Sequence, residues 1–376
     1  MSRDSVKHSG HLAISSKRSS VAAGYYDDDF IEHILPGTKE NPLLNFLYYL
    51  RVYSVRKLID LCIAEFSEKV QFVNFGCGMD TISLWLIQKY GGYRKGVVCF
   101  ELDFRSQLEK KNALVSKCDK AMEMFTNFEY RDGLAYSDQY RMIPIDLSHE
   151  EELKKLEEYG FSRELPTIFL SELVLVYVEA EAANKVIKYA RDCAKQSCFI
   201  YMEPISTFDS FGKLLVSRFR SHGLGIHGTE KYPTIEDQIN RYKSLGWEHI
   251  VVKDMNYIMN RAIDEEEMRR VRSLEILDEV EELALLCNHY AVGTATTDDK
   301  LFKKILEFLD RNKEQTKSSY TTQQICEMIL DGTIKKIQPS ILEVAPFSKF
   351  FSEIISDSIK GKANVRIKDS EDDREE

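Results

Sequence analysis

Closely spaced cysteine pairs are missing from this 376-residue chain. Its eight cysteines are scattered, and no Cys-x-x-Cys motif occurs. Structural zinc sites usually draw on such pairs, so the sequence predicts no metal site. Most of the cysteines stand among apolar residues, which favours a role as small core side chains in a reducing compartment. A cytoplasmic protein is therefore expected.

Long apolar runs and an excess of basic residues are also lacking. No run is long enough to cross a bilayer, and the N-terminal MSRDSVKHSGHLAISSKRSS has no apolar core of a secretory signal. Lysine and arginine number 51 against 61 aspartates and glutamates, which gives a net charge of -10. Because a nucleic-acid groove needs a basic field, neither a nucleic acid nor a membrane is expected as a partner.

Short apolar runs that alternate with helical patterns fill the middle of the chain, and 43% hydrophobic residues are enough for a large core. Five of the runs are predicted to be strands: KVQFVNFG, GVVCFELDF, YRMIPIDL, PTIFLSELVLVYV and SCFIYMEPI. This alternation predicts an α/β fold with a doubly wound, mostly parallel sheet. Two later runs, within EHIVVKDMNYIMNRAI and HYAVGTATT, are predicted to add antiparallel strands at one edge, with one acidic helix between them.

The composition divides the chain into four segments. Residues 1–23 are rich in Ser, His and basic residues and are predicted to form a flexible arm or lid. Residues 24–297 are predicted to form the main domain, which opens with one or two helices in NPLLNFLYYLRVYSVRKLIDLCIAEF. Residues 298–367 are predicted to be a helical extension and 368–376 a disordered acidic tail. The extension carries two apolar stripes: Leu301, Phe302, Ile305, Leu306 and Leu309, then Phe347, Phe350, Phe351, Ile354 and Ile355.

The stretch FVNFGCGMDTISLWL places Gly76 and Gly78 directly between a predicted strand and a predicted helix. Glycines there let a ligand lie against the backbone, although many such turns use glycine for packing alone. A dinucleotide fingerprint would have a third glycine where Thr81 stands, which weakens a pyrophosphate interpretation. Asp103, after the second strand, suits a ribose diol, and Asp146 follows the third strand. This order is expected for S-adenosyl-L-methionine, which has a ribose and an adenine but no phosphate.

Several motifs together resemble the leucine carboxyl methyltransferases: SSKRSSVAAGYYDDDFIEH, LRVYSVRKLI, VNFGCGMDT, FELDF, IPIDL, LPTIFLSELVLVYV and RSLEILDE. The resemblance runs from about Ser15 to Thr296. Members of that family methylate the C-terminal leucine carboxylate of the catalytic subunit of type 2A protein phosphatases. The resemblance implies this activity, a Rossmann-like methyltransferase fold, S-adenosyl-L-methionine as cofactor and the phosphatase subunit as partner. A monomer is expected.

The resemblance also implies roles for individual residues along the cofactor, first from the adenosine to the glycine turn. Asp103 would hold the ribose hydroxyls, while Asp146 and Leu147 would flank the adenine. Gly76 would pass against the methionine portion, and Gly78 belongs to the same cofactor-binding turn.

At the amino-acid end, the resemblance implies that Lys17 and Arg51 reach into the site from the N-terminal elements. Glu172 would bind at the amino-acid end itself, and Tyr177 would face the methyl-transfer centre. From the residues alone, Lys17 could be one more charge on an arm, Arg51 a surface ion-pair partner, and Tyr177 a core residue. Glu172 is different, because a carboxylate that follows PTIFLS would be buried at a real cost without a partner.

The implied reaction needs little acid–base assistance. An α-carboxyl group has a pKa of about 3.5 and is therefore ionised at neutral pH, and a sulfonium is an activated leaving group. In-line alignment of the carboxylate oxygen, the methyl carbon and the sulfur can contribute about 7–11 kcal/mol. The planar fork of Arg51 is suited to orienting a carboxylate, so Arg51 and Tyr177 are the predicted catalytic residues.

Two alternatives remain open from the sequence. One is a related carboxyl methyltransferase that acts on a modified transfer-RNA base, although those relatives carry a large β-propeller that this chain does not resemble. The other is an inactive methyltransferase fold that serves as a scaffold, with the C-terminal helices as its binding surface.

Overall fold

One mixed β-sheet forms the centre of the molecule. The computed structural model describes residues 3–34, 39–91 and 96–312. The strands in these ranges are β1 (Val70–Phe75), β2 (Val97–Asp103), β3 (Glu129–Arg131), β4 (Leu134–Tyr136), β5 (Tyr140–Pro144), β6 (Thr167–Glu172), β7 (Ser197–Pro204), β8 (His249–Asp254) and β9 (Tyr290–Thr296). They pair in the order β3-β4-β5-β2-β1-β6-β7-β9-β8.

The five central strands, β5, β2, β1, β6 and β7, are parallel. At one edge β9 lies antiparallel to β7, and β8 lies antiparallel to β9. The predicted fold class, a doubly wound and mostly parallel sheet with an antiparallel edge, is thereby confirmed. From β1 the chain proceeds to β2 on one side and later to β6 on the other. Such a switch point opens a crevice beyond the carboxyl ends of the strands, where ligands bind in open α/β sheets.

Helices follow most of the strands. Their bounds are α1 (Arg3–Ala22), α2 (Ile31–Ile34), α3 (Pro42–Glu65), α4 (Ile82–Tyr90), α5 (Arg105–Val115), α6 (Asp119–Met122), α7 (Lys155–Glu158), α8 (Ala180–Asp192), α9 (Ser210–Ser221), α10 (His227–Lys231), α11 (Ile235–Ser244), α12 (Met255–Tyr257), α13 (Glu265–Arg272), α14 (Val280–Cys287) and α15 (Asp299–Leu309). Short 3₁₀ helices span Glu150–Lys154 and Leu175–Tyr177, and a π-helical turn spans Ile258–Ala262.

The central strands of the sheet are buried on both faces. Neighbouring residues of β1 point into different cores, because Phe72 belongs to a cluster with α3 whereas Val73 belongs to a cluster with α8. A strand covered on both sides has no polar face, which explains why these strands read as nearly continuous apolar runs.

Within the segment 1–23, which the sequence predicts to be a flexible arm or lid, residues 3–22 form α1, which packs against α3. The role of this segment as a lid stays a prediction. In α1, Ile14 is buried, and so are Ser16, Ser19 and Ser20. The Ser20 hydroxyl donates to the Asn45 carbonyl at 3.0 Å, and the Ser16 hydroxyl donates to Glu40 at 3.3 Å. Small hydroxyl side chains let two helices approach closely, and composition cannot distinguish them from solvated serines.

The acidic helix predicted between the two edge strands is in fact two helices, α13 and α14, separated by residues 273–279. The connecting segment is tied to α3, because the Asn45 amide donates to the Glu275 carboxylate at 2.8 Å. MNYIMNRAI is helical rather than extended, and the hairpin β3–β4 is an addition that the apolar pattern did not predict.

The first apolar stripe of the predicted C-terminal extension lies on α15, which contacts α3 and β8. Leu301, Ile305 and Leu309 are buried there. The second stripe and the acidic tail lie outside the described residues, so the four-part division of the chain stays a prediction. None of the helices in the described ranges has the length and apolar character that crossing a membrane requires.

Candidate active site

A cleft of about 180 Å³ opens beyond the carboxyl ends of the parallel strands. The predicted site residues that line it are Arg51, Gly76, Gly78, Asp103, Asp146, Leu147, Glu172 and Tyr177. The ninth, Lys17, lines an adjoining cavity that shares Arg51, Gly76, Gly78 and Glu172 with the cleft. The structure therefore brings together all nine residues named from the sequence.

Glycine is needed at the two positions of the turn for different structural reasons. Both have positive φ, +62° at Gly76 and +50° at Gly78, which side chains rarely adopt. A Cβ on Gly76 would stand 2.4 Å from a methyl group of Val174, so this glycine is required by packing within the cleft wall. A Cβ on Gly78 would meet only the Gly10 backbone at 4.0 Å. Gly78 therefore exposes backbone to the cleft, as the cofactor hypothesis requires.

Glu172, at the end of β6, joins two cations that come from different helices. The Lys17 ammonium of α1 donates to Oε2 at 2.8 Å. The Arg51 guanidinium of α3 donates to Oε1 through Nε at 3.0 Å and through an Nη at 2.8 Å. All three side chains are at least nine-tenths buried. The buried Glu172 carboxylate is therefore paired with two cations, which offsets the cost of its burial.

A fourth charge, Asp80, completes this network and was missed by the sequence reasoning. Its Oδ2 accepts from Lys17 at 2.5 Å, and its Oδ1 accepts from the Ile82 amide at 2.8 Å, at the start of α4. Burial by itself would raise the pKa values of Glu172 and Asp80, but the neighbouring cations hold both pKa values below the ordinary range. The sequence signal that could have identified Asp80 is its position in GMDT, two residues after Gly78. The four ionised groups sum to zero charge.

Asp103, at the end of β2, is held by backbone amides instead of cations. Its Oδ2 accepts from the Gly78 amide at 2.8 Å, and its Oδ1 accepts from the Phe104 amide at 2.7 Å. Burial raises the pKa of Asp103 to about 6. An ionised carboxylate has about four lone-pair directions, so two amide bonds leave it able to accept from further donors such as a diol.

Asp146 and Leu147 follow β5 on the same side of the cleft. Asp146 Oδ1 accepts from the Ser148 amide at 3.0 Å, which fixes the turn. The cleft wall here is completed by Phe104 and Ile145. Apolar side chains beside a polar turn suit a flat heteroaromatic base.

The opposite end of the cleft is aromatic. Tyr177 lies on the 3₁₀ helix after β6, and its ring centroid is 6.5 Å from that of Phe219 on α9. Tyr48 and Tyr290 line the same compartment, and the Arg51 guanidinium lies 4.6 Å from the centre of the Tyr48 ring. Phe219, Tyr48 and Tyr290 were not predicted, because single aromatic residues in apolar stretches give no signal of which cavity they face.

Backbone strain marks the SELVLVY segment. Leu173, which lines the cleft, has φ of +56°, an uncommon conformation for a residue with a side chain. Its amide donates to the Met202 carbonyl at 2.9 Å, so β7 holds the conformation in place. Strained residues of this kind cluster at functional sites.

The donor set fits S-adenosyl-L-methionine part by part. The Gly78 backbone and the charge network around Glu172 suit the methionine portion. The Asp103 carboxylate suits the ribose, and the apolar slot beside Leu147 suits the adenine. Fold and site together define an α/β enzyme of the methyltransferase class.

Comparison with known proteins agrees. A family model described as leucine carboxyl methyltransferase matches residues 11–190. Leucine carboxyl methyltransferase 1 of Caenorhabditis elegans is 30% identical over 305 residues, which covers 77% of this chain and 91% of that protein. The protein of the same name from Yarrowia lipolytica is 30% identical, with 76% and 94% coverage. The chain belongs to the leucine carboxyl methyltransferase family. It is thus a methyltransferase, with S-adenosyl-L-methionine as its cofactor.

A second kind of relative is human tRNA wybutosine-synthesizing protein 4, which is 30% identical over 314 residues. The match covers 79% of this chain but only 44% of that protein. Among solved structures, a geranyl diphosphate methyltransferase in complex with sinefungin has a TM-score of 0.42 at 11% identity, covering 68% of this chain and 82% of that one. That likeness is too remote to bear on the activity.

Proposed function

We propose that this protein transfers the methyl group of S-adenosyl-L-methionine to the C-terminal leucine carboxylate of a type 2A protein phosphatase catalytic subunit. The observation that supports the proposal most is the place of Arg51. Its guanidinium lies between the charge network and the compartment lined by Tyr177, Phe219 and Tyr290. A chain-terminal leucine combines the same two features, a carboxylate and a branched apolar side chain.

Arg51 is proposed to orient the accepting carboxylate. Its Nε and one Nη donate to Glu172. A guanidinium has five N–H donors, so further N–H groups remain for a second carboxylate. Sharing the cation with Glu172 also limits how strongly it neutralises the nucleophile. Glu172 and Lys17 are proposed to bind the amino and carboxylate groups at the amino-acid end of the cofactor.

The proposed nucleophile needs no base, because a leucine α-carboxylate is already ionised at neutral pH. The bound cofactor supplies an electrophilic methyl group on a sulfonium. The chain's own contribution is alignment and exclusion of water, and α1 serves the second purpose by covering the cleft with Gly10 and Ala13. Tyr177 is proposed to face the transferred group.

The transfer-RNA reaction is the second candidate, since one relative's name refers to that pathway. The net charge of -10 disfavours an RNA substrate. A protein substrate is therefore the better-supported proposal, and the cytoplasmic location and monomeric state stay predictions.

The test is an assay with methyl-labelled cofactor on three acceptors: the intact phosphatase catalytic subunit, the same subunit without its last leucine, and bulk tRNA. Base-labile label on the intact subunit alone is the expected result. Label on tRNA, or equal label on the truncated subunit, would overturn the proposal. Binding of cofactor without transfer to any acceptor would favour an inactive scaffold.

A further inference from the structure

A glutamine with no hydrogen-bond partner lies in the wall of the cleft. Gln107 is in the first turn of α5, its side chain is 1% exposed, and neither Oε1 nor Nε2 has a partner in the structure. It lines the cleft together with Asp103 and Phe104. Its Nε2 lies 3.8 Å from the place where a Cβ on Gly10 would stand.

None of the residues that the structure describes is hydrogen-bonded to the Gln107 side-chain amide. Gly10, which has no side chain, lies beside the Gln107 amide, and the backbones of Gly10 and Gly78 approach each other. A buried polar group without a partner costs roughly 1–3 kcal/mol, so an apolar residue of the same size would be more stable here. A costly unpaired amide in the wall of a ligand cleft indicates that a bound ligand supplies its hydrogen bonds.

We propose that Gln107 is a cofactor-binding residue that holds the ribose together with Asp103. The ionised Asp103 can only accept hydrogen bonds, and two of its lone pairs already accept from the Gly78 and Phe104 amides. The ribose hydroxyls need a donor as well as an acceptor. The Gln107 amide provides both, with Nε2 as the donor and Oε1 as the acceptor. This inference rests on the cofactor and does not depend on the identity of the methyl acceptor.

The test compares Gln107→Met, which keeps the size but removes both polar atoms, with the wild-type protein by calorimetry. The ligands are S-adenosylhomocysteine and 5′-methylthioadenosine, which lacks the amino-acid end. Affinity for both should fall by the same factor, about tenfold for one to two neutral hydrogen bonds. The melting temperature of the protein without ligand should stay the same or rise. Unchanged affinity would overturn the proposal, and so would a loss seen with S-adenosylhomocysteine alone.

Gln238→Met is the matched control. Gln238 is also 1% exposed, but its Nε2 donates to the Tyr232 carbonyl at 3.0 Å, away from the cleft. This variant should lower the melting temperature and leave cofactor affinity unchanged. A 2′,3′-dideoxyribose version of methylthioadenosine then tests the ribose assignment. Removal of the two hydroxyls should cost less affinity in Gln107→Met than in the wild type, and an equal cost would place the contact elsewhere on the adenosine.

Discussion

The two ends of the cofactor cleft are held in opposite ways. At the amino-acid end, Lys17, Arg51, Asp80 and Glu172 come from four separate elements and satisfy one another with ion pairs. At the adenosine end, Asp103 and Gln107 come from one strand and the helix that follows it. There the carboxylate has only backbone partners and the amide has none.

This difference predicts what binding changes. At the amino-acid end, the charged ends of the methionine must share partners that are already paired, so the gain is selectivity for matched charges. At the adenosine end, binding satisfies groups that are costly without a ligand, so the gain is affinity. Damage to the first end should therefore cost stability and binding together, whereas damage to the second end should cost affinity alone.

Glu172→Gln should have the largest effect. Removing one partner leaves Lys17 and Arg51 buried without their shared anion, and breaking buried pairs costs roughly 3–5 kcal/mol. The melting temperature should fall sharply and S-adenosylhomocysteine binding should be lost, as measured by thermal unfolding and calorimetry. Glu248→Gln, which removes a 61%-exposed partner of Arg191, is the control and should change neither. A Glu172→Gln protein with wild-type stability would contradict the role given to the network.

Asp103→Asn should show the opposite balance. Hydrogen bonds to a charged group contribute roughly 1.5–3 kcal/mol, so affinity for S-adenosylhomocysteine should fall by about 10- to 150-fold. The melting temperature without ligand should change little at pH 8. Removing an ionised buried carboxylate with a raised pKa is stabilising, but the asparagine NH2 group then faces one of the two backbone amide donors. A variant that loses stability but keeps affinity would reverse the comparison.

Arg51→Lys separates orientation from charge. Lysine keeps one cation near Glu172 but cannot donate to two carboxylates in one plane. We expect turnover to fall by at least about tenfold, the cost of one oriented hydrogen bond to a charged group, while the protein stays folded. Steady-state kinetics with saturating cofactor, beside a circular dichroism melt, measure both. Full activity would mean that Arg51 does not orient the methyl acceptor.

The pH dependence of binding should be the smallest effect and should come from the adenosine end. With a pKa of about 6, Asp103 binds a proton below pH 6 in the free protein. That proton must leave when the ribose hydroxyls donate to the carboxylate, so affinity should fall by up to about tenfold per pH unit below 6 and stay flat above about 7. Calorimetry between pH 5 and 8 measures this. Asp103→Asn should lose the dependence, and a variant that keeps it would assign the proton to another group.

Much of the fold could be predicted because each central strand has both faces buried. The continuous apolar runs that end at Gly76, Asp103 and Glu172 located three strands and their carboxyl ends. The resemblance to a family then supplied Lys17, Arg51 and Tyr177, which no local pattern marks as functional. The serine-rich α1 and the division between α13 and α14 could not be predicted, since partners such as Asn45 and Glu275 are far apart in the chain.

By itself, the sequence determined the alternation of strands and helices, the glycine turn and the acids that follow the strands, because these depend on local periodicity and on backbone torsions. Only the tertiary structure decided which charges meet. It placed Lys17 of α1 between Asp80 and Glu172, across 63 and 155 residues of chain. It also left the Gln107 amide buried and without a partner at the edge of the cleft. Burial and pairing are properties of neighbours in space, and these neighbours come together only when the sheet and its covering helices are assembled.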